Sequence, residues 1–412
     1  MAKIIPFKGL RPRKELAADV ATLPYDVVSV AEAREFRKYP HNFYHVTRSE
    51  IDLTENIDVH SQLVYERAKE NLENMIREKI LVQDTDPCYY IYELVMDGRS
   101  QTGLICGSSI DDYNNDIVKK HEFTRPEKEQ DRINHITITG AHTGIVFLAY
   151  NDCKSVQDII DDWKKEHAPV YDFTASDGIR HALWVMDGYA KVSSITLHFA
   201  QDVPCTYIAD GHHRAASAAK VCKEMRDNGY SIDGDETFNY FITCIFPASQ
   251  LRIMDYNRVV KDLNGLDEEK FWKRVKENFS VEEQSSAYKP TALHSFGVYI
   301  NNKWFKLTAN PSIIETDPVG VLDVSILQKN LLDPILGIKD QRTDKRIDFV
   351  GGIRGMEELE KRVNSGDMKL AISLYPVSIE QLFDISDAGS VMPPKSTWFE
   401  PKLRDGLLTH MI

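Results

Sequence analysis

Residues 205–220, Cys-Thr-Tyr-Ile-Ala-Asp-Gly-His-His-Arg-Ala-Ala-Ser-Ala-Ala-Lys, constrain the fold of this chain more than any other stretch. Cys205 to Ile208 is a short, β-prone apolar run and reads as a strand. From His213 onward the chain is rich in Ala, with Lys220 and Lys223 further along, and reads as a helix. Asp210-Gly211-His212-His213-Arg214 is the turn between them. A glycine, two imidazoles and a guanidinium therefore stand at a helix N-terminus, where unbonded backbone N–H groups and the positive end of the dipole favour an anion. Arg214 adds a planar fork suited to phosphate or carboxylate. Asp210 could hold a metal ion or accept a proton. A plain turn with a solvated cap is the competing reading. Adjacent histidines point in different directions on a helix, so they are not expected to ligate one metal together. Four polar residues and a glycine at one strand-to-helix turn weigh toward a functional site.

The rest of the chain limits what that site can serve. At 412 residues there is room for two or three domains, and 42% hydrophobic content gives each a core. A formal net charge of −13 speaks against general nucleic-acid binding, which needs a basic face. No apolar run reaches about 18 residues, so no membrane span is expected, and Met-Ala-Lys-Ile-Ile-Pro-Phe lacks a signal-peptide core. The six cysteines are scattered, with no C-x-x-C pair. They read as free thiols in a reducing, cytoplasmic setting rather than as a zinc site or a disulfide frame.

Several other stretches place polar groups at the ends of regular elements. Leu23-Pro24-Tyr25-Asp26-Val27-Val28 is extended, because Pro24 pushes Leu23 out of the helical region. Asp26 beside Tyr25 reads either as a functional carboxylate or as a hydrogen-bonded turn residue. Ser29 with Glu32 forms a capping box that starts a helix. His41 to Thr47 has the alternation of a short strand, and residues 59–80 carry helical apolar spacing. Two runs flanking Asp97-Gly98 predict a hairpin. Ile117-Val118-Lys119-Lys120 leads to His121-Glu122-Phe123-Thr124-Arg125, stopped by Pro126. A Glu so placed, near basic groups and partly desolvated, suits a general base. His121-Glu122 is not H-E-x-x-H, since residue 125 is Arg, which excludes a zincin by pattern. Gly144 to Tyr150 reads as a strand covered on both faces, and His181 as a half-exposed strand residue. Tyr240 to Pro247 is expected beside the central strand. Asp255-Tyr256-Asn257-Arg258 offers Arg258 as a second phosphate ligand. After about residue 265 the texture changes to a second α+β domain, with hairpin strands flanking Asn301-Asn302. Lys395-Ser396-Thr397, held between prolines, is rigid and donor-rich, and reads as a phosphate contact or as a docked terminal strand. Neither G-x-G-x-x-G nor G-x-x-x-x-G-K-[ST] is present.

Leu23-Pro24-Tyr25-Asp26-Val27-Val28, His121-Glu122-Phe123-Thr124, Asp131-Arg132, Ile208-Ala209-Asp210-Gly211-His212-His213-Arg214 and Met392-Pro393-Pro394-Lys395-Ser396-Thr397, in that order, resemble the domain-of-unknown-function 1015 family. The pentapeptide Asp210 to Arg214 also resembles the signature of the free-serine kinases of the ParB/sulfiredoxin-like superfamily. The resemblance implies an α+β chain, with a mixed-sheet ParB/sulfiredoxin-like domain over 1–264 and a smaller α+β domain over 265–412. It implies a phosphotransferase moving a phosphoryl group from a nucleotide or pyrophosphate to a small hydroxyl substrate such as free L-serine. In that scheme Glu122, Asp210 and His212 are catalytic. Gly211, His213, Arg214, Arg258, Lys395, Ser396 and Thr397 hold phosphate or nucleotide. Tyr25, Asp26, His121 and Thr124 contact the substrate, and Asp210 carries Mg2+. A nucleotide- or anion-binding regulatory module without turnover is the alternative. A ParB-like nuclease conflicts with the acidic charge, and a sulfiredoxin-like reductase would need a cysteine where the turn has histidine. The expected partners are a small-molecule substrate and, among macromolecules, a second copy of the chain in a homodimer.

Overall fold

Asp97 and Gly98 both take positive φ, 51° and 76°, the conformation that a two-residue hairpin turn of matching twist demands. That turn founds the main sheet. The computed structural model describes residues 1–230 and 233–412, and the chain divides into two units, Met1–Leu251 with Pro401–Ile412, and Arg252–Glu400. In the first unit the strands of the main sheet are β1 (Ile4–Ile5), β2 (Tyr89–Met96), β3 (Arg99–Ser109), β4 (Val118–Lys119), β5 (Val146–Tyr150), β6 (Tyr171–Thr174), β7 (Arg180–Met186), β8 (Thr206–Asp210) and β9 (Tyr240–Pro247). They form one nine-stranded sheet in the order β4-β8-β5-β9-β3-β2-β7-β6, with β1 pairing β3. The sheet is mixed: β8 runs parallel to β4 and antiparallel to β5, while β5 runs parallel to β9.

β5 does not follow the expected neighbourhood. Sequence places β9 beside the central strand β8, yet β5 lies between them. The reason is burial. Val146, Phe147, Leu148, Ala149 and Tyr150 are all buried, and a strand apolar on both faces needs the interior place. Each large side chain there contributes about 1.5–3 kcal/mol of burial.

The helices that matter for the site are α1 (Gln62–Arg77), α2 (Pro126–Thr139) and α3 (His212–Asp227). The alanines of α3 are mostly buried and let it pack closely on α2, where the Ser217 hydroxyl donates to the Glu129 carbonyl at 3.0 Å. His41 to Thr47 corrects a strand to a helical turn over Tyr44–Thr47. Phe43, Tyr44 and Val46 all face inward, and a run this short fits a turn of helix as well as a strand. His181 is also corrected: it is wholly buried, with Nδ1 at 2.8 Å from the Tyr92 hydroxyl and Nε2 accepting from Arg404 Nε at 3.1 Å.

The second unit carries a six-stranded antiparallel sheet that includes Tyr256–Val260, Ser295–Ile300 and Leu370–Leu374. Tyr256–Val260 pairs only within that sheet, so the division falls after Leu251 rather than at 264. Pro401–Ile412 returns to the first unit because Leu403, Leu407 and Leu408 are buried there and its backbone pairs with Leu10 and Thr22. No helix among the described residues is long and apolar enough to cross a membrane.

Candidate functional site

The strand-to-helix turn has the form expected of it. Gly211 takes φ 99° and stands at the N-cap of α3, with no side chain capping the helix. A Cβ at 211 would lie 3.4 Å from the Val146 Cα, so both conformation and space call for glycine. The β8 register shifts between Ile208 and Asp210, a local irregularity that re-aims the strand end toward the turn.

The two histidines part as a helix requires. His212 is buried and His213 half-buried. His213 Nε2 accepts from the Arg125 backbone N–H at 2.9 Å, and His212 Nε2 accepts from the His121 N–H at 3.4 Å. In each ring the hydrogen of the neutral form therefore sits on Nδ1. Burial, with the neighbouring His121, pushes His212 well below the ordinary histidine value, so it is neutral. Its Nδ1 faces Glu122 Oε2 at 3.6 Å. Glu122 lies just beyond β4, more than half exposed. The pairing of β4 with β8 brings this carboxylate to the turn from 90 residues upstream.

His121 itself is buried, its ring edge-on to His212 with centroids 4.5 Å apart. Burial holds it down at about 4. Its Nδ1 is buried without a hydrogen-bond partner. Thr124 donates to Glu129 Oε2 at 2.6 Å and so steadies the start of α2.

Arg214 reaches across to the 23–28 segment. Its Nη2 meets Asp26 Oδ1 at 3.0 Å and its Nη1 donates to the Ile145 carbonyl at 2.8 Å. The side chain is 9% exposed, and Nε has no hydrogen-bond partner. Burial works against its charge, but Asp26, Asp405 and Asp210 together drive its pKa upward. Tyr25 lies between two guanidinium groups, Arg132 at 3.9 Å and Arg214 at 5.5 Å from the ring centroid, an arrangement of cation–π contacts that fixes all three. Beyond them opens a cleft of about 320 Å³ lined by Tyr25, Asp26, Arg48, Glu50, His60 and Arg132, among others. That is the size of a small-molecule site.

Sequence reasoning missed two members of the cluster, both on the closing segment. Lys402 Nζ lies 2.9 Å from Asp210 Oδ2. Asp405 is 1% exposed, with Oδ2 lacking a hydrogen-bond partner. Burial pushes its carboxyl up to about 7, against the pull of Arg214. The available signal was an acid inside the apolar run Leu403 to Leu408. Asp210 is half-buried; burial alone would raise it, but Lys402 and Arg214 carry it far below the usual range. A carboxylate already held by two cations is a poor ligand for a third. No group of three His, Cys, Asp or Glu side chains able to hold a metal occurs among the described residues. The donor set does not fit a resident Mg2+ on Asp210, which corrects that expectation.

Arg258, Lys395, Ser396 and Thr397 belong to the second unit, not to the one that holds the turn. Arg258 is wholly buried and bonded to Tyr256 O, Gln341 Oε1 and Lys395 O. Ser396 donates to the Pro393 carbonyl at 2.5 Å. Both are spent on their own fold.

A sequence model of the family described as "Protein of unknown function (DUF1015)" matches residues 4–325. No curated protein matches the chain. Among solved structures, a conserved hypothetical protein from Pyrococcus furiosus aligns with 15% identity and a TM-score of 0.35, over 74% of this chain and 93% of that one. A free serine kinase in complex with AMP aligns with 14% identity and a TM-score of 0.35, over 72% and 86%. SbnI from Staphylococcus aureus, truncated at its C-terminus, aligns with 8% identity and a TM-score of 0.39, over 74% and 86%.

Proposed function

For this chain, which belongs to the DUF1015 family, we propose phosphoryl transfer from a nucleotide or pyrophosphate to the hydroxyl of a small molecule, free L-serine being the first to try. The observation that carries the reading is the 3.6 Å approach of Glu122 to His212 at the uncapped N-terminus of α3. Phosphoryl transfer asks chiefly for positioning and charge neutralisation, with one base to take a proton. Each requirement has a group here. The backbone N–H groups of α3 and the Arg214 fork receive phosphate oxygens. Glu122, its carboxylate oriented by the His212 Nδ1–H, removes the hydroxyl proton as the new O–P bond forms and the donor's bridging O–P bond breaks. The electron pair of that bond leaves with the donor. The cleft beside Tyr25 and Arg132 takes the acceptor.

A phosphorus NMR assay with L-serine and ATP, ADP or pyrophosphate in turn tests this. Phosphoserine from one donor, reduced about 10²–10⁴-fold in Glu122→Gln and strongly reduced in Arg214→Lys, is expected. No phosphorylated product with any donor, alongside nucleotide binding, would replace the reading with a regulatory module that binds without turnover.

A further inference from the structure

The closing segment supplies a charged group to a turn nearly two hundred residues earlier. Lys402 and Asp210 are separated by 192 positions, yet their side chains meet at 2.9 Å. The segment is not loosely draped. Asp405 exchanges both backbone hydrogen bonds with Thr22, at 3.0 Å each, and Thr409 does so with Leu10 at 2.9 and 3.0 Å. The Ile412 N–H donates to the Gly140 carbonyl, and Leu407 and Leu408 are wholly buried. Lys402 is therefore a fixed ammonium, its side chain 14% exposed, beside the residue that precedes Gly211.

We propose that Lys402 is the cation of the phosphate site: it binds the phosphoanhydride oxygens of the donor where a divalent ion on Asp210 would otherwise be needed. The choice of ligand rests on the phosphotransfer reading. The chemistry rests on the cluster itself. An ammonium is a compact charge with rotatable donors, able to bridge a carboxylate and a phosphate oxygen at once. Asp210 aims it, as a base-bearing site uses a second residue to aim the first. Asp405 ties the same segment to Arg214. Its buried Oδ2 lacks a hydrogen bond, and a Cβ added at Gly144 would touch both Asp405 Oδ1, at 3.6 Å, and Arg214 Nε, at 3.3 Å. The segment thus borders the phosphate-facing arginine as well as Asp210. A cation pre-positioned in a partly desolvated site needs no rearrangement when charge arrives.

The test is calorimetric binding of ADP and of inorganic pyrophosphate with EDTA present throughout. The proteins are the full chain, Lys402→Met, Lys402→Arg and the double variant Asp210→Asn with Lys402→Met, each checked for an unchanged thermal midpoint. The unaltered chain is expected to bind without divalent ions. Lys402→Met should weaken binding about tenfold to a hundredfold, the loss of one charge-assisted contact, and Lys402→Arg should recover most of it. The double variant decides between contact and mere pairing. If Lys402 only neutralises Asp210, removing both restores binding and overturns the proposal; if it touches phosphate, binding stays weak. Binding by Lys402→Met equal to the unaltered chain, or no binding by the unaltered chain in EDTA, also overturns it. Failure of the transfer reading looks different: no phosphorylated product from the unaltered chain, with binding that still depends on Lys402.

Discussion

Arg214 and Arg258 present the same signal in the sequence, an arginine among polar neighbours next to an apolar run, but the structure sets Arg258 in the middle of a strand, and the two units use them in opposite ways. Arg214 faces carboxylates, and their charge outweighs the cost of burial. Arg258 has no ion pair among the described residues; its donors go to two main-chain carbonyls and an amide, and burial pulls its pKa down to about 10. Under the proposed function the first is a charge held in reserve by acids with which an arriving anion would compete. The second is a strut, its charge tolerated for the carbonyls it satisfies. A buried arginine is thus informative about ligands only through the charge of its partners.

The sharpest way to break the comparison is to remove each guanidinium. Arg214→Ala leaves Asp26, Asp210 and Asp405 without their shared cation and should cost about 3–5 kcal/mol, the range for stripping one partner from a buried charge cluster. Urea denaturation read by a first-unit probe measures it. Next in size is Glu122→Gln, which should lower transfer about 10²–10⁴-fold, as loss of a general base does. Because Glu122 is more than half exposed, its stability change should stay within about 0.5 kcal/mol. A large stability loss there would make Glu122 structural. Arg258→Met keeps volume and gives up hydrogen bonds to neutral acceptors, so about 1–3 kcal/mol is expected, confined to the second unit's transition. A cost above that of Arg214→Ala would undo the distinction drawn between them.

How much of this was legible beforehand follows from the range over which each signal acts. The Asp97-Gly98 hairpin, the Ser29–Glu32 box and the Gly211 turn are written within a few residues, and the structure has each where sequence puts it. Glu122 could be singled out as a candidate from its place after a strand. That it meets His212 depends on β4 lying beside β8, which no local period encodes. Lys402 and Asp405 were harder still. Their role comes from the chain leaving the first unit at 251 and returning at 401, and within their own segment they look like ordinary charges between leucines. Ser396 shows the opposite difficulty: a donor-rich turn reads alike whether a donor points at a ligand or, as the Ser396 hydroxyl does, at its own backbone.

Titration contrasts the acids with the imidazoles of the first unit. Asp405, raised from 3.8 to about 7 by burial, is protonated when folded and ionised when unfolded across that window. Its contribution to stability is therefore full below about 4 and is lost as pH rises to about 7. His121, lowered from 6.5 to about 4, acts in the opposite sense: its contribution is present above 6.5 and is lost as pH falls toward 4. Asp405→Asn should remove the first trend alone, so stability should climb more steeply between pH 4 and 6.5 than in the unaltered chain. A parallel shift of the whole curve, with no change of slope, would mean that Asp405 is ionised when folded.

The smallest expected effect probes the strut rather than the reserve. Ser396 is buried, and its hydroxyl donates to the Pro393 carbonyl at 2.5 Å. Lys395, at φ 58°, turns its own carbonyl to accept from Arg258 Nη2 at 3.0 Å. The 393–396 turn and Arg258 therefore hold one another. Ser396→Ala should cost about 1 kcal/mol, the worth of one internal hydrogen bond. Combined with Arg258→Met, it should fall short of additivity by about 0.5 kcal/mol or more, since a turn already loosened has less to lose. Strict additivity in the second unit's unfolding would separate the two residues, and Arg258 would then be a strut for Gln341 and Tyr256 alone.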